Sequence, residues 1–148
     1  MREDRLTTKE WLKRAQKIEE ELRALDLAKQ AAYERCTSTT SKPKEIQVSS
    51  GGGQSGDSAL AAYVALAEKI DKLTAKQIEI KLEIIDVICK VEDRTLRILL
   101  TRRYINFDKW KEIAHDMHYS YRHICSRLHP EALRRVDRIR QAKEKGKS

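Results

Sequence analysis

The sequence predicts an all-α protein, a long helical (coiled-coil) hairpin followed by a C-terminal helix-turn-helix domain. Three observations predict it. Two long segments repeat apolar residues at alternating spacings of three and four, the mark of a coiled-coil seam. A stretch of hydroxyls, glycine and one proline separates them. Beyond the second segment the apolar spacing shortens into helices joined by tight turns, and there the chain becomes strongly basic.

The first helix starts at Thr7-Thr8-Lys9-Glu10. Thr7 suits the cap position, and Glu10 sits where its carboxylate can reach back to the cap amide. Trp11, Ala15, Ile18, Leu22, Leu25, Lys29, Ala32 and Cys36 then form the seam. Lys13, Arg14, Lys17, Glu19, Glu20, Glu21 and Arg23 lie off it and read as a solvated face. Residues 37–56 (TSTTSKPKEIQVSSGGGQSG) offer no apolar face and read as a flexible linker. Their glycines do not form a phosphate loop. No apolar strand precedes them and no Gly-Lys-Ser/Thr leads into a helix.

The second helix is expected from about Asp57 or Ser58 to Glu92. Its seam is Tyr63, Leu66, Ile70, Leu73, Gln77, Ile80, Ile84, Val87 and Val91. Val64, Ala67, Ile78, Ile85 and Ile88 widen the apolar stripe beyond what one partner helix covers. An antiparallel hairpin brings the linker ends together, and the surplus stripe favours a homodimer or other homo-oligomer. Lys29 and Gln77 are polar seam positions that either fix register or rotate into solvent. Residues 1–92 thus form the expected scaffold, and residues 93–148 a second domain.

The charge is distributed unevenly. The 148 residues carry a net charge of +8. Residues 1–92 hold 16 basic and 16 acidic side chains, whereas residues 93–148 hold 15 basic and 7 acidic. All four histidines and five of the eight aromatic residues also fall in the second part. A neutral scaffold joined to a small basic module points to a polyanionic partner.

Within the basic part, Leu96, Leu99, Leu100 and Tyr104 mark a packing helix. Asp108 is the expected cap of the next helix, Lys109–Met117, which turns Trp110, Ile113, Ala114 and Met117 inward. His118 falls where the chain must adopt a left-handed conformation, and Ala114 is small where two helices cross. Ser120 caps the next helix, and Ile124 plugs it into the core. This is the spacing of a helix-turn-helix. Its second helix would place Ser120, Tyr121, Arg122, His123, Ser126 and Arg127 against base edges in the major groove of double-stranded DNA. Arg102, Arg103, Lys109, Lys111, Arg134 and Arg135 are the candidate phosphate contacts. Pro130 is expected to kink or end the recognition helix, with a further helix running to about Lys143.

The stretch Trp110-Lys-Glu-Ile-Ala-His-Asp-Met-His-Tyr-Ser-Tyr-Arg-His-Ile124, followed by Glu131-Ala-Leu133, resembles the promoter-reading C-terminal domain of bacterial sigma factors (region 4). With Thr7-Thr-Lys-Glu-Trp-Leu12, the Ser/Gly linker, the long second helix and Arg103-Tyr104, the chain as a whole resembles phage-encoded late transcriptional regulators of the ArpU/RinA type. That resemblance implies sequence-specific DNA binding that controls phage or prophage late genes, in the cytoplasm of a bacterial host. It implies the same DNA-contact positions, Ser120, Tyr121, Arg122, His123 and Arg127. It leaves open whether host RNA polymerase is touched directly. One position departs from the pattern: three residues after Ile124 an apolar residue is usual, and here it is Arg127, with Leu128 next.

Rival readings are a small terminase-like packaging protein, which a ring of eight or more subunits would favour, and a helical adaptor without specific DNA recognition. No catalytic constellation is visible, so an enzyme is not expected. No cofactor is expected either. His115, His118, Cys125 and His129 lie within 15 residues, but structural zinc sites more often use cysteine pairs on turns, so no metal is expected. Three widely spaced cysteines argue against a disulfide framework and for a reducing compartment. The charged N-terminus lacks the apolar region of a secretory signal. No apolar run approaches the ~20 residues of a membrane span.

Overall fold

The computed structural model describes residues 5–41 and 54–146, with side chains over 5–38 and 57–146. Among the described residues there are seven α-helices, one π-helical turn and no strand. The helices are α1 (Thr8–Leu12), α2 (Arg14–Ser41), α3 (Gln54–Ile88), α4 (Arg94–Tyr104), α5 (Trp110–Met117), α6 (Tyr121–His123) and α7 (His129–Lys145). The π-turn, Ile124–Leu128, lies between α6 and α7. Helix α2 extends past the expected start of the linker, and α3 begins before Asp57 and ends before Glu92. The remainder of the expected linker lies outside the described residues. No helix among the described residues is long and apolar enough to cross a membrane.

The chain divides into two units, residues 1–17 with 78–148 and residues 18–77. The division falls inside α2 and α3 and not at 92/93. The cause is visible in the core of the first unit. Leu12, Ala15, Ile84, Val87, Ile88 and Val91 are buried together with Leu96, Leu99, Leu100, Tyr104, Ile113, Ile124 and Val136. The basic module therefore takes part of its core from both ends of the hairpin sequence. Each such Ile or Leu contributes about 1.5–3 kcal/mol by leaving water.

Helix α1 opens with the capping box read from the sequence. The Glu10 N–H donates to Thr7 Oγ1 (3.2 Å), and the Thr7 N–H donates to Glu10 Oε2 (2.9 Å). Lys13, at φ −77° and ψ −4°, interrupts the regular helix geometry for one residue. Leu12 and Ala15 take the core positions as a result. Trp11, expected in the seam, is only half-buried and lies beside the guanidinium groups of Arg14 (4.7 Å) and Arg140 (5.0 Å). At the other end of this unit's long helix, the Leu96 N–H donates to Asp93 Oδ1 (3.2 Å) and starts α4. Arg97 donates back to the carbonyls of Val91 and Glu92 (2.6 and 2.8 Å), which seals the turn left by the end of α3.

Within residues 18–77, early α2 faces late α3, so the two segments run antiparallel. Gln77 is buried and donates to Glu19 Oε2 at 2.8 Å. The Lys29 ammonium lies 5.7 Å from the Tyr63 ring centroid, and Tyr33 packs on the same ring. Both polar seam residues thus face the partner helix, as a register device would require. Ile18, Leu22 and Ala32 are buried. Leu27, Leu60 and Val64 stay exposed, so the apolar stripe is wider than this pairing covers.

Candidate nucleic-acid interface

Two packed helices and a left-handed turn set the interface. The cap of helix α5 is Lys109, not Asp108, and Glu112 takes the reach-back role, accepting from the Lys109 N–H at 3.3 Å. Asp108 is occupied elsewhere. It accepts from Arg102 Nε at 2.8 Å. Helix α5 buries Ile113 and Ala114 and ends at His118, which adopts φ 61° and ψ 37°. The N–H groups of His118 and Tyr119 close on carbonyls of the last turn, including that of Ala114. This is the left-handed helix end that the spacing requires. Ser120 then caps α6, accepting from the His123 N–H at 3.1 Å. Ile124 is fully buried and anchors the second helix.

Pro130 does not end the helix. The Ile124–Leu128 segment is a π-turn, and the chain passes through it directly into α7, with Pro130 in the first turn of that helix. Ile124 and His129 are both buried although five residues apart, a spacing one wide turn matches and an ordinary α-turn does not. The His129 N–H donates to the Ile124 carbonyl across that turn. The wide turn also explains the departure at Arg127. It leaves Arg127 in solvent and brings Leu128 against the core.

The candidate base-reading residues end on one short, solvent-facing piece of chain. Tyr121, Arg122, His123, Ser126 and Arg127 are all exposed. Neither arginine makes an ion pair among the described residues. Ser120 is exposed too, but its hydroxyl is committed as the cap. Tyr119, which the helix-turn-helix spacing does not single out, stacks on His123 with ring centroids 5.2 Å apart. Its place directly before the cap serine is the signal that could have found it.

The phosphate candidates divide into two groups. Lys109 and Lys111 are exposed at the start of α5 and make no ion pair among the described residues. The others are engaged. Arg102 binds both Asp108 and Asp116, joining the end of α4 to the following loop and to α5. These bonds raise the pKa of Arg102 and hold Asp116 below the usual carboxylate range, helped by His115. Arg103 donates to the Asp108 carbonyl (3.0 Å) and lies over the Trp110 ring (4.5 Å). Arg134 and Arg135 flank Glu131, at 2.7 and 3.0 Å, and lower its pKa. Arg102 and Arg103 therefore shape the domain, whereas Arg134 and Arg135 remain at its surface.

The His/Cys group is dispersed. His115 is exposed and bonded to Asp116. His129 is buried, with its Nε2 2.6 Å from the Tyr104 hydroxyl, and its ring meets that of Trp110 in a T-shaped contact with centroids 4.5 Å apart. Burial first, then the positive charges of Lys9, Arg103 and Lys13, push the pKa of His129 down to about 4. Burial pushes that of Tyr104 up to about 12. Both rings are thus neutral at pH 7, and the tyrosine donates to the imidazole. Among the described residues, no group of three or more His, Cys, Asp or Glu side chains is placed to hold a metal ion.

The model of one protein family, described as "Protein of unknown function (DUF1492)", matches residues 37–137. The chain belongs to the DUF1492 family. The DUF1492 match runs from late α2 into α7 and takes in the helix-turn-helix, the π-turn and His129. Helix α1, with its capping box, lies outside the matched residues. No curated protein and no solved structure matches the chain.

Proposed function

We propose that this DUF1492 protein is a sequence-specific, double-stranded DNA-binding transcription regulator, not an enzyme, acting on phage or prophage late genes in the bacterial cytoplasm. The observation that carries the proposal is the Ser120-capped helix after the left-handed turn at His118. It presents Tyr121, Arg122, His123, Ser126 and Arg127 to solvent on the basic end of the chain. An unpaired arginine near the start of such a helix has the reach and the donor fork to read guanine in the major groove. Lys109 and Lys111 would supply phosphate contacts from α5, with Arg134 and Arg135 further along. Homodimers, or another homo-oligomer, would form through the apolar surface left on the long helices, where Leu27, Leu60 and Val64 are exposed. A dimer would read two half-sites, and host RNA polymerase is a further candidate partner.

Selection of bound sequences from random duplex DNA with the full chain tests the proposal. A shared motif is expected. Arg122→Ala should weaken binding to that motif by about 1–3 kcal/mol while leaving binding to unrelated duplex nearly unchanged. Enrichment of no motif would refute sequence-specific reading. Equal loss on both duplexes would reduce Arg122 to a backbone contact.

A further inference from the structure

Arg140 lies on α7, away from the proposed DNA-reading residues. It is buried, with 8% of its surface exposed. A buried guanidinium ordinarily has a carboxylate partner, because an uncompensated charge is costly out of water. Arg140 has none within ion-pair distance among the described residues. Its Nη1 donates to Thr8 Oγ1 (3.2 Å) and its Nη2 to the Leu6 carbonyl (3.3 Å), both neutral acceptors. Burial lowers its pKa most and Arg5 adds to that, while Asp137, which accepts from the same Thr8 hydroxyl at 2.9 Å, and Glu144 pull the other way.

Beside it is a pocket of about 150 Å³ lined by Trp11, Glu83, Val87, Arg140, Lys143 and Glu144. The two carboxylates there are already committed. Glu83 pairs with Arg14 at 2.9 Å, and Glu144 pairs with Arg5 at 3.2 Å. Lys143 is exposed and makes no ion pair among the described residues. The pocket therefore has two cations that make no direct ion pair among the described residues, beside a valine and the indole that Arg14 and Arg140 also flank.

We propose that this pocket binds a small, singly charged carboxylate with an apolar body. The carboxylate would complete Arg140 through the donor positions its neutral partners leave over and would meet Lys143 at the rim. The apolar body would lie on Trp11 and Val87. The nearby Glu83 and Glu144 select against a phosphate dianion, whose second charge they repel. The site is independent of DNA reading, and its test does not use DNA.

Benzoate is the probe, titrated into the full-length protein in low-chloride buffer. Binding is followed by the NMR shifts of the Trp11 indole N–H and of the backbone around Lys143. Saturable shifts in the millimolar range are expected. Acetate should bind more weakly, because it lacks the apolar body, and inorganic phosphate more weakly still. Lys143→Gln, at an exposed position that leaves the core untouched, should weaken benzoate about fivefold. Arg140→Lys should weaken it further, because an ammonium lacks the planar fork. A linear, unsaturated response would overturn the proposal. So would phosphate binding as tightly as benzoate, or an unchanged affinity in Lys143→Gln.

Discussion

The buried imidazole of His129 makes the stability of this protein fall in mild acid. In the unfolded chain a histidine titrates near 6.5, whereas in the fold His129 titrates at about 4. Between these values the unfolded chain binds a proton that the native protein refuses. Stability is therefore complete above pH 6.5 and drains away as the pH falls toward 4. Taking those two values, the loss from pH 7 to pH 4.5 is about 2 kcal/mol. Urea unfolding followed by circular dichroism across that range, at fixed protein concentration and ionic strength, measures it. His129→Gln cannot take up the proton, so its stability should change by about 2 kcal/mol less over the same range. His115, His118 and His123 are present in both proteins and cancel in the comparison. Tyr104→Phe separates bond from burial. It should cost about 1 kcal/mol at pH 7 yet keep the slope, because burial is the main cause of the shift. The same slope in wild type and His129→Gln would refute the reasoning.

Four other outcomes follow from the geometry of the basic part. His118 and Phe107 both sit at φ 61°, but His118 is exposed and Phe107 packs on the core beneath Lys81. His118→Gly should stabilise by about 1 kcal/mol and Phe107→Gly should destabilise by about 2 kcal/mol, both read from urea midpoints. Ser120→Ala should cost about 1 kcal/mol by leaving the His123 N–H without its cap, and thermal melts would show it. Arg102→Ala removes two ion pairs and should cost about 1 kcal/mol at low salt. The same comparison near 1 M salt should show a smaller difference.

The parts of the fold that the sequence made legible depend on local rules. Thr7 with Glu10, the left-handed residue at His118 and the cap at Ser120 each need only a few neighbouring residues, and all three stand as read. The all-α class followed from apolar periodicity alone. Side chains that had to choose among partners were less legible. Asp108 is as good a cap by type as any, but Arg102 takes it, so Lys109 opens α5 with help from Glu112. The carboxylate partners of Arg102 were not legible, because they lie 6 and 14 residues away. His129 looked like a possible metal ligand because its actual partner, Tyr104, lies on another helix. Trp11 fitted the heptad, yet the irregularity at Lys13 gave the core to Leu12. The base-reading candidates were found together because an exposed helix start is itself a local pattern.

The π-turn between Ile124 and Leu128 has a consequence for numbering as well as for shape. It holds one residue more than a regular helical turn. Every position from His129 onward is therefore advanced by one relative to an uninterrupted helix of the same length. A comparison that runs straight through would assign Arg134 and Arg138 to the wrong faces. Any equivalence drawn with a helix-turn-helix whose second helix is regular needs a one-residue gap inside this turn. A single deletion at exposed Ser126 would restore the uninterrupted count and leave the residues of α7 on their present faces.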